Sequence, residues 1–233
     1  MTDIDRTARA QVLLSAAAEA QVPAAALGGV AFQLLCGSAR AGGRYHRSLA
    51  DIDLATTGRA RRSLDELAVA AGFVADEPFN RMNGASRMRY EDADGSHLDV
   101  FVDEFRLCHV LTWGRALPVG QPTLPLAELL LTKLQVVRLE PKDVSDLLAL
   151  LTDRWDDVCA QRGRLTELVR NDWGLWRTAR GSLETLAAAP DPVAAGRAAE
   201  LLEQWQAIPL GAKARMRAAV GDRVRWYEEP EEL

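Results

Sequence analysis

The sequence is short of the residues that staple a fold or anchor it in a membrane. Its three cysteines, Cys36, Cys108 and Cys159, are widely spaced and form no C-x-x-C pair, which argues against a disulfide framework and a thiolate zinc site. The three histidines, His46, His97 and His109, have no metal-ligand spacing and read as surface or packing residues, with His97 placed by strand alternation on the Asp99 face, where it can touch a substrate. There is no basic excess. Lys and Arg number 28 against 33 Asp and Glu, a formal charge of −5, so no global positive field draws the chain onto duplex DNA or an anionic membrane. Long apolar runs are also missing: the uncharged stretch Gln21–Ala39 is broken by Pro23, Gly28, Gly29, Gln33, Gly37 and Ser38 and makes a poor membrane span. The first residues mix both charges before a weak apolar stretch, unlike a signal peptide. Together these absences lead us to expect a soluble, cytoplasmic protein without a membrane partner.

What is present is globular. Hydrophobic residues make up 48% and charged residues 26% of 233, outside the polar, highly charged range of disordered chains. A chain of this size can bury roughly 70% of its unfolded surface. An Ala-rich amphipathic segment, 5–20, reads as a helix that stops before Pro23. Residues 23–27 then suggest a strand, Gly28-Gly29 a tight turn, and VAFQLLC a second helix. A loop, 37–48, leads into an alternating strand, 49–55. Ser63 and Glu66 form an S-x-x-E capping box ahead of a helix ending at Gly72. Residues 86–91 and 97–103 flank Asp94-Gly95, a hairpin turn signal. From Pro125 the pattern is helical, with helices expected at 126–138, 142–154, 172–188, 192–206 and 211–226. Five of six tryptophans fall in this half, where we expect them to fill interhelical space. The expected organisation is an α+β half over 1–120 followed by a helical half over 121–233.

Three carboxylates stand out. Asp51 and Asp53 are two apart on a predicted strand, so both project from one face while Ile52 and Leu54 point into the core. On the second strand His97, Asp99, Phe101 and Asp103 share one face, opposite Leu98, Val100 and Val102. If the two strands are neighbours, Asp51, Asp53 and Asp99 converge, and like charges so close call for a cation. Hard oxygen ligands without His or Cys point to Mg²⁺ or Mn²⁺. Around them, residues 40–62 carry six arginines, at 40, 44, 47, 59, 61 and 62, against only Asp51 and Asp53, a setting suited to a polyphosphate. Lys133 lies in the apolar run LLLTKLQVV, where an unpaired ammonium would be costly, so it requires a partner such as Asp143 or Asp146.

The ordered blocks LGGVAF, RSLADIDL, HLDVF and LLLTKLQVV with KDVSDLLALL resemble the nucleotidyltransferase superfamily, most closely its AbiEii-like branch, over residues 24–152. The resemblance implies an α+β fold with a nucleotidyltransferase-type mixed sheet and flanking helices over 1–120 and a helical domain over 121–233 that completes the cleft. It also implies metal-dependent transfer of a nucleoside monophosphate from an NTP to a hydroxyl acceptor, with pyrophosphate leaving. By that pattern Gly28 and Gly29 admit the triphosphate, and Arg47 and Ser48 flank it. Asp51 and Asp53 hold Mg²⁺ (or Mn²⁺), and Asp99 is a third ligand or the base. Lys133 reaches the triphosphate, Asp143 or Asp146 orients that lysine or the nucleotide, and Lys133 and Asp146 would have to face Asp51 across a groove. Gly37-Ser38 stands as an alternative phosphate turn, and Leu49 occupies a position where the family has Thr or Ser. The acceptor could be tRNA or another macromolecule, as for toxin-like relatives with a cognate antitoxin, or a small molecule such as an antibiotic. A non-catalytic nucleotide- or metal-binding module with the same fold is the competing expectation. A D-x-D-x-T phosphatase is disfavoured by Ala55, and a glycosyltransferase by the short stretch ahead of Asp51.

Overall fold

The computed structural model describes residues 5–113 and 117–229. They form two compact units. One runs up to Leu35 and includes Arg47–Phe105 and Thr112–Pro125; the other comprises Cys36–His46, Arg106–Leu111 and the chain from Leu126 onward. The expected division near residue 120 thus gains two excursions, in which short segments from the first half join the helical unit.

The first unit opens with α1 (Arg6–Glu19), capped by the Asp5 carboxylate, which accepts from Ala8 N at 3.0 Å. Its buried residues, Ala10, Leu13, Leu14 and Ala17, follow the three-and-four spacing of a single helical stripe. The helix stops at Ala20, ahead of Gln21 at φ 57°. Strand β1 (Ala24–Leu27) is buried throughout and leads directly into α2 (Gly28–Leu35). Then come β2 (Asp51–Thr56), α3 (Arg61–Ala70), β3 (Val74–Ala75), α4 (Glu77–Asn83), β4 (Arg87–Glu91) and β5 (His97–Val102). Strands β6 (Glu104–Arg106) and β7 (Val110–Thr112) pair as a separate two-stranded ribbon, which holds the second-unit segment Arg106–Leu111. The main sheet has the order β1-β2-β5-β4-β3, with β2 and β5 parallel and every other pair antiparallel. The hairpin between β4 and β5 forms at the expected Asp-Gly pair. Asp92 Oδ1 accepts from the backbone N of Asp94 and Ser96, each at 2.9 Å, and Gly95 takes φ 74°.

Two local expectations change. Helix α3 begins at Arg61 with Ala60 as its cap and no capping side chain, so Ser63 lies inside it. The entry is set earlier, where Ala60 N donates to the carbonyl and hydroxyl of Thr57. Strand β5 ends at Val102. Asp103 turns to φ 62° and its carboxylate accepts from Gly58 N at 3.1 Å, which removes it from the row formed by His97 and Asp99. The short β3 and α4 were not anticipated. Two- and seven-residue elements carry too few residues for a periodic signal.

The second unit is helical: α5 (Leu126–Leu134), α6 (Pro141–Asp153), α7 (Trp155–Ala160), α8 (Arg162–Val169), α9 (Trp173–Ala187), α10 (Pro192–Gln206) and α11 (Ala212–Val220). Among the described residues seven helices replace the five expected, because 154–171 holds two short ones. The last helix stops at Val220, where Gly221 takes φ 61°. The tryptophans act as interhelical packing: Trp176 Nε1 donates to the Trp205 carbonyl and Trp205 Nε1 to the Trp176 carbonyl, both at 3.0 Å. The two excursions are anchored by side chains. The Tyr45 hydroxyl and Arg44 bind Asp191, which also caps α10. Among the described residues no helix is long and apolar enough to cross a membrane.

His109 anchors the other excursion as a packing residue. It is buried, with Nε2 2.9 Å from Thr178 Oγ1, which accepts from Trp226 Nε1 at 3.0 Å. Burial pushes its pKa below the ordinary imidazole value, against the weaker opposing pull of Asp172 and Glu228. The unfolded chain therefore takes up the proton first. Stability should fall as pH drops through about 6.5 and keep falling toward the folded pKa. Urea denaturation at pH 7.5 and 5.5 should show this loss in the wild type and a smaller one in His109→Gln; equal losses would refute it.

Candidate active site

Register places the carboxylates. Across the parallel pair Asp51 is opposite His97 and Asp53 opposite Asp99; across the hairpin Arg89 is opposite Asp99, Arg87 opposite Phe101 and Glu91 opposite His97. Because side chains alternate along a strand, these residues share one sheet face. The other face carries Ile52, Leu54, Leu98, Val100, Met88 and Tyr90, all buried. Burying that apolar set fixes the register, since a one-residue slip would expose it. The face shelters its acids unequally: Asp51 is exposed, Asp53 half-buried and Asp99 buried.

The glycine pair meets these acids closely. Gly28 opens α2 at φ +60°, and a Cβ there would lie 2.0 Å from Asp53 Oδ2. A Cβ on Gly29 would lie 2.4 Å from Arg47 Nη2 and 2.5 Å from Leu49 Cδ2. The missing side chains thus make room for the Asp53 carboxylate and the Arg47 guanidinium at the start of α2. Gln33, on the same helix, donates to the Arg47 carbonyl at 3.0 Å and accepts from Thr7 Oγ1 at 2.8 Å, which ties the Arg47 segment to α1 and α2. Ser48 is exposed, and its carbonyl lies 3.4 Å from Arg47 Nη1. Gly37-Ser38, the alternative turn, belongs to the second unit as part of a 3₁₀ turn whose Ser38 N donates to Asp153 Oδ2 at 2.8 Å.

Asp99 is met by two arginines that the sequence reading did not single out. Arg87 Nε donates to Asp99 Oδ1 at 2.9 Å, and Arg89 Nε lies 3.7 Å from the same oxygen. The Arg89 guanidinium sits over the Phe79 ring at 4.2 Å, and that of Arg87 lies near Phe101 at 5.1 Å and Phe79 at 5.9 Å. The legible signal was the alternation Arg87-Met88-Arg89-Tyr90 just before the hairpin turn, which puts both arginines on the face of Asp99.

The donor chemistry can be tested against a divalent cation. Among the described residues no group of three or more His, Cys, Asp or Glu is arranged to hold a metal ion. Asp51 and Asp53 nevertheless offer hard oxygens from one face of β2, a donor set that fits Mg²⁺ or Mn²⁺. Asp99 has one oxygen engaged by Arg87 and could contribute only the other.

The remaining expected residues lie in the second unit. Lys133 on α5 is buried, with Nζ 2.7 Å from Asp143 Oδ1 and 3.0 Å from Asp146 Oδ2. Both aspartates are buried on α6, and Asp143 Oδ2 also accepts from Glu140 N at 3.2 Å. The partner that an ammonium in an apolar helix requires is thus supplied twice. The expected site residues divide accordingly: Gly28, Gly29, Arg47, Ser48, Asp51, Asp53 and Asp99 belong to the first unit, Lys133, Asp143 and Asp146 to the second. No family model and no curated protein matches the chain.

Proposed function

We propose that the protein is a metal-dependent nucleotidyltransferase that moves a nucleoside monophosphate from an NTP to a hydroxyl acceptor, macromolecular or small. The observation that carries this reading is the seating of Asp53 against Gly28 at the start of α2, with Asp99 beside it in register. The missing side chains let the Asp53 carboxylate and the Arg47 guanidinium pack against the start of α2, and Arg47 supplies a guanidinium for the charge of a phosphate chain. Asp51 and Asp53 would hold the divalent ion, which when bound neutralises charge on the attacking and leaving oxygens. In the transfer, the acceptor oxygen bonds to the α-phosphorus as the bond to the bridging oxygen breaks and pyrophosphate departs. Asp99, oriented by Arg87, takes the hydroxyl proton. Lys133 is read here as the internal counter-ion of Asp143 and Asp146.

A second reading, a binding module without turnover, is favoured by one observation: Asp99 already carries an ion pair through Oδ1. The two readings separate in one experiment. Wild type and Asp53→Asn are incubated with α-labelled NTPs, Mg²⁺ and a cell extract, which is then fractionated into RNA, protein and small molecules. The transferase reading expects label in one fraction with wild type alone. Equal labelling by the two proteins in every fraction refutes it.

A further inference from the structure

The arginines of β4 have more donors than the protein uses. Arg87 spends its Nε on Asp99, and among the described residues its Nη groups meet no hydrogen-bond acceptor. Arg89 stands 3.7 Å from the same carboxylate oxygen, beyond hydrogen-bonding distance, and its guanidinium likewise donates to no side chain or carbonyl. Two cations therefore share the Asp99 carboxylate. Neither is a loose surface group: their side chains are only 18% and 28% exposed. Phe79 lies against both, and Phe101 lies against Arg87. Ring contacts of this kind hold a guanidinium in place while its N–H edge stays open.

We infer that Arg87 and Arg89 form a phosphate-binding subsite beside Asp99. Two planar donor groups placed two residues apart on one strand face converge on a ligand from different directions, which suits a tetrahedral phosphate with several acceptor oxygens. A carboxylate, planar and with two oxygens, is already satisfied there in the form of Asp99. The register fixes where the phosphate lies. Arg89, Asp99 and Asp53 are successive members of one cross-strand row, so the bound phosphate adjoins the carboxylates of the proposed transfer site. The subsite rests on the transferase reading only for the source of the phosphate, which is either the NTP or a phosphodiester of the acceptor.

The test is direct binding without turnover, by calorimetry in EDTA, of two probes: ATP, and a dinucleoside monophosphate whose single phosphate is a diester. Arg89→Gln is the primary variant, because Arg89 makes no hydrogen bond through its side chain and its loss leaves the Arg87–Asp99 pair intact. We expect it to weaken one probe by about tenfold or more, with unchanged circular dichroism; the probe affected names the source. Arg87→Gln combined with Asp99→Asn, which removes the pair as a unit, should weaken the same probe. Unchanged affinity in Arg89→Gln for both probes, or binding of neither to wild type, overturns the subsite. Label transfer with unchanged affinities would remove the subsite and leave the transferase; Arg89-dependent binding with no transfer would do the reverse.

Discussion

Gly28→Ala is expected to lower label transfer by about 100-fold or more and to cost about 2–4 kcal/mol of stability. Two physical effects combine. At φ +60° any residue with a Cβ is strained by roughly 1–2 kcal/mol. The new methyl would also lie 2.0 Å from Asp53 Oδ2 and 2.9 Å from Asp53 Cγ, so the carboxylate must swing away, at a cost of about 1–3 kcal/mol for overpacking. The activity loss follows from displacement, since a shift of about 1 Å in a reacting group can cost 100-fold. Gly72→Ala separates the two effects. Gly72 has φ +90° but nothing within 4 Å of the position a Cβ would take, so that variant should lose stability and keep transfer. Thermal melting and the labelling assay, run on both, read the difference. Full transfer by Gly28→Ala would remove Asp53 from the site.

The second large effect lies in the helical unit. Lys133→Met should destabilise the protein by about 3–5 kcal/mol, because it strands Asp143 and Asp146 as buried carboxylates without their cation. Methionine keeps much of the aliphatic stem, so lost packing contributes little. Replacing all three charged groups, with Lys133→Met, Asp143→Asn and Asp146→Asn together, should recover a substantial part of that loss. The comparison is a urea titration of the full chain at neutral pH. A single variant as stable as wild type would mean that the ion-pair cluster contributes nothing to the fold.

Much of this architecture could be read locally. The stripe Ala10, Leu13, Leu14 and Ala17, with Asp5 ahead of it, specifies α1 by spacing and cap. Asp94-Gly95 specifies the hairpin, and the alternation of Ile52 and Leu54 with Asp51 and Asp53 specifies which side of β2 is polar. Expectations failed where another contact outranked a local motif. Ser63 and Glu66 match a capping box, yet the turn at Thr57–Ala60 starts the helix one residue after Ala60. Asp103 continues the alternation of β5 on paper, but its carboxylate is drawn to Gly58 N and the strand ends. Helices α7 and α8 were missed because six and eight residues span barely two turns and show little periodicity.

The sequence by itself determined the side-chain directions: two acids on one face of β2, Asp99 on one face of β5, and a lysine that had to find a counter-ion. Direction is local, because each strand alternates with a period of two and each helix with a period of 3.6. Tertiary structure alone decided which groups meet. The parallel pairing of β2 with β5 sets Asp53 opposite Asp99, the hairpin register brings Arg87 and Arg89 to that aspartate, and the turn into α2 seats Asp53 on Gly28. Those meetings depend on register, and register is chosen by burial of the opposite, apolar face, an energy summed over several strands that no single segment of sequence contains.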